Sequence, residues 1–175
     1  WTRFLDQWFA SNSSYSGNNA NIRSYVDTIA THSYWAGQDA REAVAAQISG
    51  SDYGQGIRCT EFCQMNTDTT IYQDLTILNA KEWDWWTACG RGIYPDSLVY
   101  INDTNHDHIE TSKRLWCMGN YSKFIKSGAK RISVSMGESF GADIQTNSEN
   151  IYTWTSGENT GTDKYNYIDV SAFRN

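Results

Sequence analysis

From about residue 24 to residue 125, short apolar runs alternate with segments of helical composition, and that alternation limits what the chain can fold into. SYVDTIATHSYW (24–35) reads as a strand ending in a polar, aromatic cluster. DAREAVAAQI (39–48) reads as a helix that Asp39 can cap, and GIRCTEF (56–62) as a second strand. A helix through TTIYQDLTILNA (69–80) follows, then a strand at EWDWWTACG (82–90). After Pro95, the sole proline, come a short strand SLVYIND (97–103) and a last helix ETSKRLWCMGNYSKFI (110–125). TRFLDQWFA (2–10) also has helical composition. Strand and helix in succession predict a parallel α/β arrangement, because parallel neighbours are joined by long crossovers.

After Gly128 the pattern changes. AKRISVSMG (129–137), NIYTWTS (150–156) and YNYIDVSAF (165–173) alternate polar with apolar or aromatic residues between Gly, Asn and Thr clusters, which predicts antiparallel strands. The expected boundary lies at about residue 127, with residues 1–126 in the α/β part and 127–175 in a flanking β part. SNSSYSGNNAN (11–21) reads as a polar loop.

Within the second strand, GIRCTEFCQM (56–65) sets a specific problem. Side chains on a strand alternate faces, so Ile57, Cys59, Glu61 and Cys63 are expected on one side and Arg58, Thr60 and Phe62 on the other. Glu61 therefore extends an apolar row. A carboxylate there needs either a structural partner or a chemical purpose.

Composition narrows the choice of purpose. The chain has 175 residues, 39% of them hydrophobic, and a formal net charge of −6, which suits a folded domain and opposes binding to nucleic acid or an anionic membrane. No apolar run is long enough to span a bilayer. Eight Trp and 11 Tyr supply flat faces suited to stacking on sugar rings, and serve equally well as core and interface material. Cys59, Cys63, Cys89 and Cys117 are not spaced as a metal site, and free, buried thiols are expected, with no metal or cofactor. The triplets at Asn12, Asn102 and Asn120 would accept glycans in a eukaryotic secretory pathway. WTRFLDQWF at the start contains no initiator Met and no signal sequence, so a longer precursor or parent protein is expected.

In parallel α/β folds, ligands gather at the carboxyl ends of the strands. Three successive strand ends carry suitable groups here: His32, Tyr34 and Trp35 after the first, Glu61 on the second and Trp85 on the third. Each also has an ordinary structural explanation. His32 can be a satisfied structural histidine, Trp83, Trp85 and Trp86 can fill a core, and Glu61 can pair with Arg58.

The strings HSYW, CTEFC, EWDWWTACG and TSKRLWCMGNYSKFIKSGAKRI, in that order, resemble the C-terminal half of glycoside hydrolase family 30 over about residues 26 to 132. The most specific part is GNYSKFIKSGAKRI, which departs from the family at Ser127, where Pro is usual; VSAFRN near the end is a looser echo. The resemblance implies the C-terminal part of a (β/α)8 TIM barrel (strands six to eight) in residues 1–126, followed by the antiparallel strands of a side β-sandwich domain. It also implies a retaining hydrolase of β-linked polysaccharide, secreted or extracellular, needing no cofactor. Under it Glu61 matches the nucleophile, His32 and Tyr34 a His-x-Tyr step lining the site, and Trp85 the wall, with Trp35 beside them as a further stacking face. WDWWTA and the pattern from Tyr94 to Tyr100 are similar to members acting on β-1,6-galactan.

In such an enzyme one carboxylate attacks the anomeric carbon while a second, roughly 5 to 5.5 Å away, protonates the leaving oxygen. The family takes that acid from an Asn-Glu pair, and the chain contains no such dipeptide. A full barrel needs about 250 residues. The resemblance therefore implies that an N-terminal part of the same enzyme completes the barrel and supplies the acid. The alternative is a carbohydrate-binding or degenerate hydrolase-like protein that stacks sugars on Trp85, Trp35 and Tyr34 without cleaving them.

Overall fold

The computed structural model describes residues 25–49, 56–64, 66–91, 96–101, 108–134, 151–156, 159–164 and 171–175, with backbone only over 151–164. The helix expected at 2–10, the loop at 11–21, Asn12, Asn102, Tyr94 and Pro95 lie outside these residues.

Strand β1 (Thr28–His32) and strand β2 (Gly56–Glu61) pair in parallel, joined by helix α1 (Gln38–Ser49). β-branched Thr28, Ile29 and Thr31 favour the extended chain, and alternation puts Ile29 and Thr31 inside. Helix α1 draws on Ala40, Ala43, Ala45 and Ala46, good helix formers, and it buries a stripe through Arg41, Val44 and Ile48 at helical spacing. Asp39 sits inside its first turn, where the helix dipole favours an acid, two positions beyond the cap itself, rather than at the cap as expected. Ile29, Val44 and Ile57 form the apolar core, with Val26, Ile48 and Leu78 packed against it.

Helix α2 (Thr67–Thr76) buries Ile71 but otherwise polar groups: Thr67, Thr70, Gln73 and Asp74. Beyond it the chain returns beside β2. Lys81 N–H donates to the Ile57 carbonyl (2.9 Å), Cys59 N–H to Glu82 (2.9 Å), Asp84 N–H to Cys59 (2.8 Å) and Trp86 N–H to Phe62 (2.9 Å). This segment runs parallel to β2, with Cys59 opposite Trp83.

A buried polar junction ties the layers together. Arg41 Nε on α1 donates to Asp74 Oδ1 on α2 at 2.7 Å, and Trp83 Nε1 donates to the other oxygen, Oδ2, at 2.9 Å. Arg41 also donates to the Ala36 carbonyl, and the Asp74 carbonyl accepts from Ala80 N–H at 2.9 Å. Asp74 is fully buried and Arg41 nearly so, so each charge depends on the other and on these bonds.

The remaining strands belong to separate small sheets. Strand β3 (Cys89–Arg91) is parallel to β4 (Val99–Ile101), and β4 is antiparallel to β5 (Ile109–Thr111). Helix α3 (Lys113–Ser122) starts at Ser112, whose side chain accepts the Leu115 N–H, so the first residues of the expected 110–125 helix are strand instead. Beyond it, β6 (Lys130–Ile132) pairs with β9 (Ala172–Arg174), and β7 (Ile151–Ser156) with β8 (Asn159–Lys164), both antiparallel.

The expected TIM-barrel fragment with a side β-sandwich is therefore corrected. Among the described residues there are three α-helices and four sheets of two or three strands, a small mixed α/β arrangement with no barrel. Barrel closure requires every strand to keep its parallel neighbour with a continuous stagger. Here the parallel run loses its ladder at EWDWWTA, where Glu82, Asp84 and Trp86 turn outward to varying degrees, and an antiparallel pair, β4 and β5, replaces the next parallel step. Among the described residues the β region forms two separate antiparallel pairs.

Removing one partner of the junction leaves the other charge buried and unpaired. Asp74→Ala is expected to cost about 3 to 5 kcal/mol of stability in urea unfolding, and Arg41→Met combined with Asp74→Leu to recover a large part of that loss. A double variant no more stable than Asp74→Ala would refute the account.

Candidate functional site

The carboxyl ends of β1 and β2 bring four of the five sequence-predicted residues together, and a bulge is what does it. The register runs Thr31 opposite Cys59 and then His32 opposite Glu61, so Thr60 is an extra residue on β2. Such an insertion re-aims the side chains that follow it. Arg58 and Thr60 face solvent as expected, but Phe62, expected with them, is buried, while Glu61 is half-buried at the edge of the core instead of continuing the row of Ile57 and Cys59.

Glu61 meets two side chains from the β1 end. The Tyr34 hydroxyl donates to its Oε1 at 3.0 Å, and His32 Nδ1 stands 3.7 Å from the same oxygen, an ion-pair distance when the imidazole is protonated and too long for a hydrogen bond. Glu61 does not pair with Arg58, which is bonded to Glu82 Oε2 at 2.6 Å. The Tyr34 hydroxyl also contacts Cys63 Sγ at 3.1 Å. Burial first, and then the bonds to and charges of Cys63 and Glu61, push the Tyr34 phenol well above its ordinary range. It therefore remains a proton donor wherever Glu61 is a carboxylate.

Aromatic rings surround this pair. Tyr34 stacks on Phe62 (centroids 5.5 Å apart, planes at 20°), stands edge-on to His32 (5.7 Å, 86°) and touches Trp35 (5.7 Å). Phe62 carries the series on to Trp83 (5.7 Å) and Trp85 (6.1 Å). Trp85 thus joins the site through Phe62 and makes no contact of its own with Glu61 in this series. Its indole N–H donates to the Asp96 carbonyl at 2.6 Å, and the Arg114 guanidinium lies over its ring at 5.6 Å.

Trp35 departs from the others in backbone and exposure. Its φ is 53°, in the left-handed region that bulky residues adopt at a cost, and the residue is 56% exposed. The fold holds a large indole facing water beside Tyr34. Trp86, 52% exposed, precedes Thr87 through a cis peptide.

All four cysteines are free, but of the four only Cys59 is buried; Cys89 is exposed. Burial pushes the Cys59 thiol up to about 11. Among the described residues no cluster of His, Cys, Asp and Glu could hold a metal ion.

Sequence reasoning misses two contributors: Cys63, two residues from Glu61, is expected only as a free thiol, and Phe62 is expected on the opposite face; Glu82, Asp84 and Asp96 are recognised as carboxylates near the site, none of them chosen as the acid. For Phe62 a local signal existed, since an apolar ring on a solvent face is a poor fit to strand alternation.

No family model matches the chain. One solved structure, described as that of a conserved exported protein from Bacteroides fragilis, is similar over 90% of this chain and 38% of that one, with 21% identity and a TM-score of 0.63. At that identity the likeness is one of fold. The chain spans well under half the length of the protein it matches.

The raised Tyr34 phenol predicts an optical result. Ordinary tyrosines ionise near pH 10, and Tyr34 retains its proton beyond that, so Tyr34→Phe is expected to leave the tyrosinate absorbance gained up to about pH 11 unchanged. The stability that this retained proton confers is intact below the ordinary phenol value and is lost as pH climbs above it. A titration amplitude smaller by one residue in the variant would show Tyr34 ionising normally.

Proposed function

We propose that the Glu61 cluster is the nucleophile side of a glycoside hydrolase site acting by retention on β-linked polysaccharide. The observation that carries this proposal is the Tyr34 hydroxyl 3.0 Å from Glu61 Oε1, amid rings that leave Trp35 open to solvent. A nucleophilic carboxylate must be ionised and aimed, and a neutral phenol donating to one oxygen favours the ionised form and fixes its orientation. The exposed Trp35 indole, with Trp85 further along the ring series, provides faces on which the apolar side of a pyranose can stack. The resemblance to glycoside hydrolase family 30 at HSYW, CTEFC, WDWWTA and GNYSKFIKSGAKRI supports the same role for the same residues, with β-1,6-galactan as the first substrate to try.

In the reaction, Glu61 forms an ester with the anomeric carbon as the glycosidic C–O bond breaks and a second carboxylic acid protonates the departing oxygen. Water then cleaves the ester, its proton returning to that acid. Polysaccharides of this kind lie outside cells, so the proposal includes a secreted or cell-surface location; the similar solved protein is itself described as exported, and no helix among the described residues is long and apolar enough to cross a membrane.

The alternative is sugar binding without cleavage, in which Trp85, Trp35 and Tyr34 serve only as stacking faces.

The full protein, supplied with β-1,6-galactan, glucuronoxylan and β-1,6-glucan, distinguishes the two. Hydrolysis is expected to fall on the order of a thousandfold or more in kcat with Glu61→Gln while glycan binding persists, and Trp35→Ala is expected to weaken binding several-fold. Full turnover by Glu61→Gln would eliminate the nucleophile role. Binding with no turnover in the unaltered protein would establish the non-catalytic alternative.

A further inference from the structure

We infer that the site takes an uncharged glycan chain lying across the strand ends, with Trp86 as a second stacking face opposite Trp35 and Asp84 beside it turning acidic sugars away. The inference deepens the proposed function and rests on it, adding a binding residue and a class of substrate.

Strand β2 lies between two neighbours, since Cys59 is level with Thr31 of β1 on one side and with Trp83 on the other. Glu61, at the end of this middle strand, is therefore flanked by the residues after β1 and by residues 84–86. On the first flank Tyr34 bonds Glu61 Oε1, and the Trp35 ring lies 5.7 Å from that of Tyr34. On the second, the Trp86 amide donates at 2.9 Å to the carbonyl of Phe62, the residue after Glu61. Neighbouring strands lie about 4.8 Å apart, which sets the backbones of the two flanks roughly 10 Å from each other. A single pyranose does not bridge that span; a run of sugars does.

Alternation decides which side chains such a run would meet. Trp83 points inward, its indole bonded to buried Asp74, and Trp85 packs on Phe62 and Trp83. Glu82, Asp84 and Trp86 accordingly point the other way, to the side on which Arg58 meets Glu82 at 2.6 Å. His32 and Glu61, level with each other beyond the bulge, open to that same side. Trp86 is 52% exposed and Trp35 56%, so both indoles have apolar area left to cover.

Charge then selects among sugars. Arg58 is bonded to Glu82, so one guanidinium stands against three carboxylates, Glu61, Glu82 and Asp84, and His32 adds a second positive group only when protonated. Burial first, and then the charge and bond of Glu82, push the Asp84 carboxyl above its ordinary range, while Arg58 draws it back. Two other nearby cations lie elsewhere: Arg114 over the inward ring of Trp85, and Lys81 against Gly56 at the start of β2. A uronic acid laid over Trp86 would bring its own carboxylate into this negative field. A neutral sugar brings hydroxyls, which donate to carboxylates.

Calorimetry on the full Glu61→Gln protein, chosen so that no probe is cleaved, tests both parts. The probes are β-1,6-galactotetraose and the same chain carrying a glucuronic acid. Trp86→Ala is expected to weaken binding of the plain tetraose several-fold with the urea midpoint unchanged, and Trp86→Tyr, which keeps a ring, to restore most of it. The glucuronic acid is expected to lower affinity several-fold in dilute buffer and much less at about 1 M salt, where charges act over only ~3 Å; Asp84→Asn is expected to narrow the gap. Undiminished binding by Trp86→Ala, a loss of binding matched by a loss of stability, or equal or tighter binding of the acidic chain overturns this inference and leaves the proposed function standing. If no form binds the tetraose this inference falls, and if the three polysaccharides also go unbound the proposed function falls with it.

Discussion

Two charges taken out of water, Arg41 and Asp74, determine how the described α/β layers meet. Their contact at 2.7 Å joins α1 to α2, and the second oxygen of Asp74 holds the Trp83 indole at 2.9 Å, which brings the segment after α2 against β2. A pair so deeply buried contributes little net stability compared with apolar side chains of equal size, yet it tolerates no other arrangement once formed. It restricts Trp83 to one place, and Trp83 is one of the rings against which Phe62 rests. The aromatic series at Glu61 thus traces back to a polar contact beneath it.

The second determinant is the extra residue at Thr60. Without it His32 would face Thr60, and Glu61 would fall on the buried row with Ile57 and Cys59. With it, Glu61 comes level with His32 and within reach of Tyr34, while Phe62 turns inward to support the Tyr34 ring. One inserted residue therefore moves a carboxylate out of the core and an aromatic ring into it. That exchange avoids the desolvation cost of a buried charge and gains the burial of a large apolar side chain.

Much of the local structure was legible from the chain alone. The ends of β1 and β2, the helix between them and the helix after β2 follow from β-branched runs, alanine-rich helical stretches and turn residues, and the grouping of His32, Tyr34, Trp35 and Glu61 follows from strand ends in a parallel pair. Two expectations failed for physical reasons. EWDWWTA looks like a strand by composition, but apart from the bridge at Trp83 it follows β2 only through single hydrogen bonds before the chain leaves for β3. The barrel expectation took three successive strand–helix steps as part of a closed ring, whereas sheet closure depends on stagger and on which strand comes next, neither of which has a local signature.

By itself the sequence determined where β1, β2 and the helix between them form, that the balance of charge is acidic, and that a carboxylate, an imidazole, a phenol and indoles occur at neighbouring strand ends. These are properties of periodicity and residue type, set within a few positions of each residue. Tertiary structure alone decided that Glu61 leaves the core row, that Cys63 lies against Tyr34, and that the Asp96 carbonyl holds the Trp85 indole. Those outcomes depend on strand register and on contacts between distant segments, where a shift of one residue reverses a side chain's face.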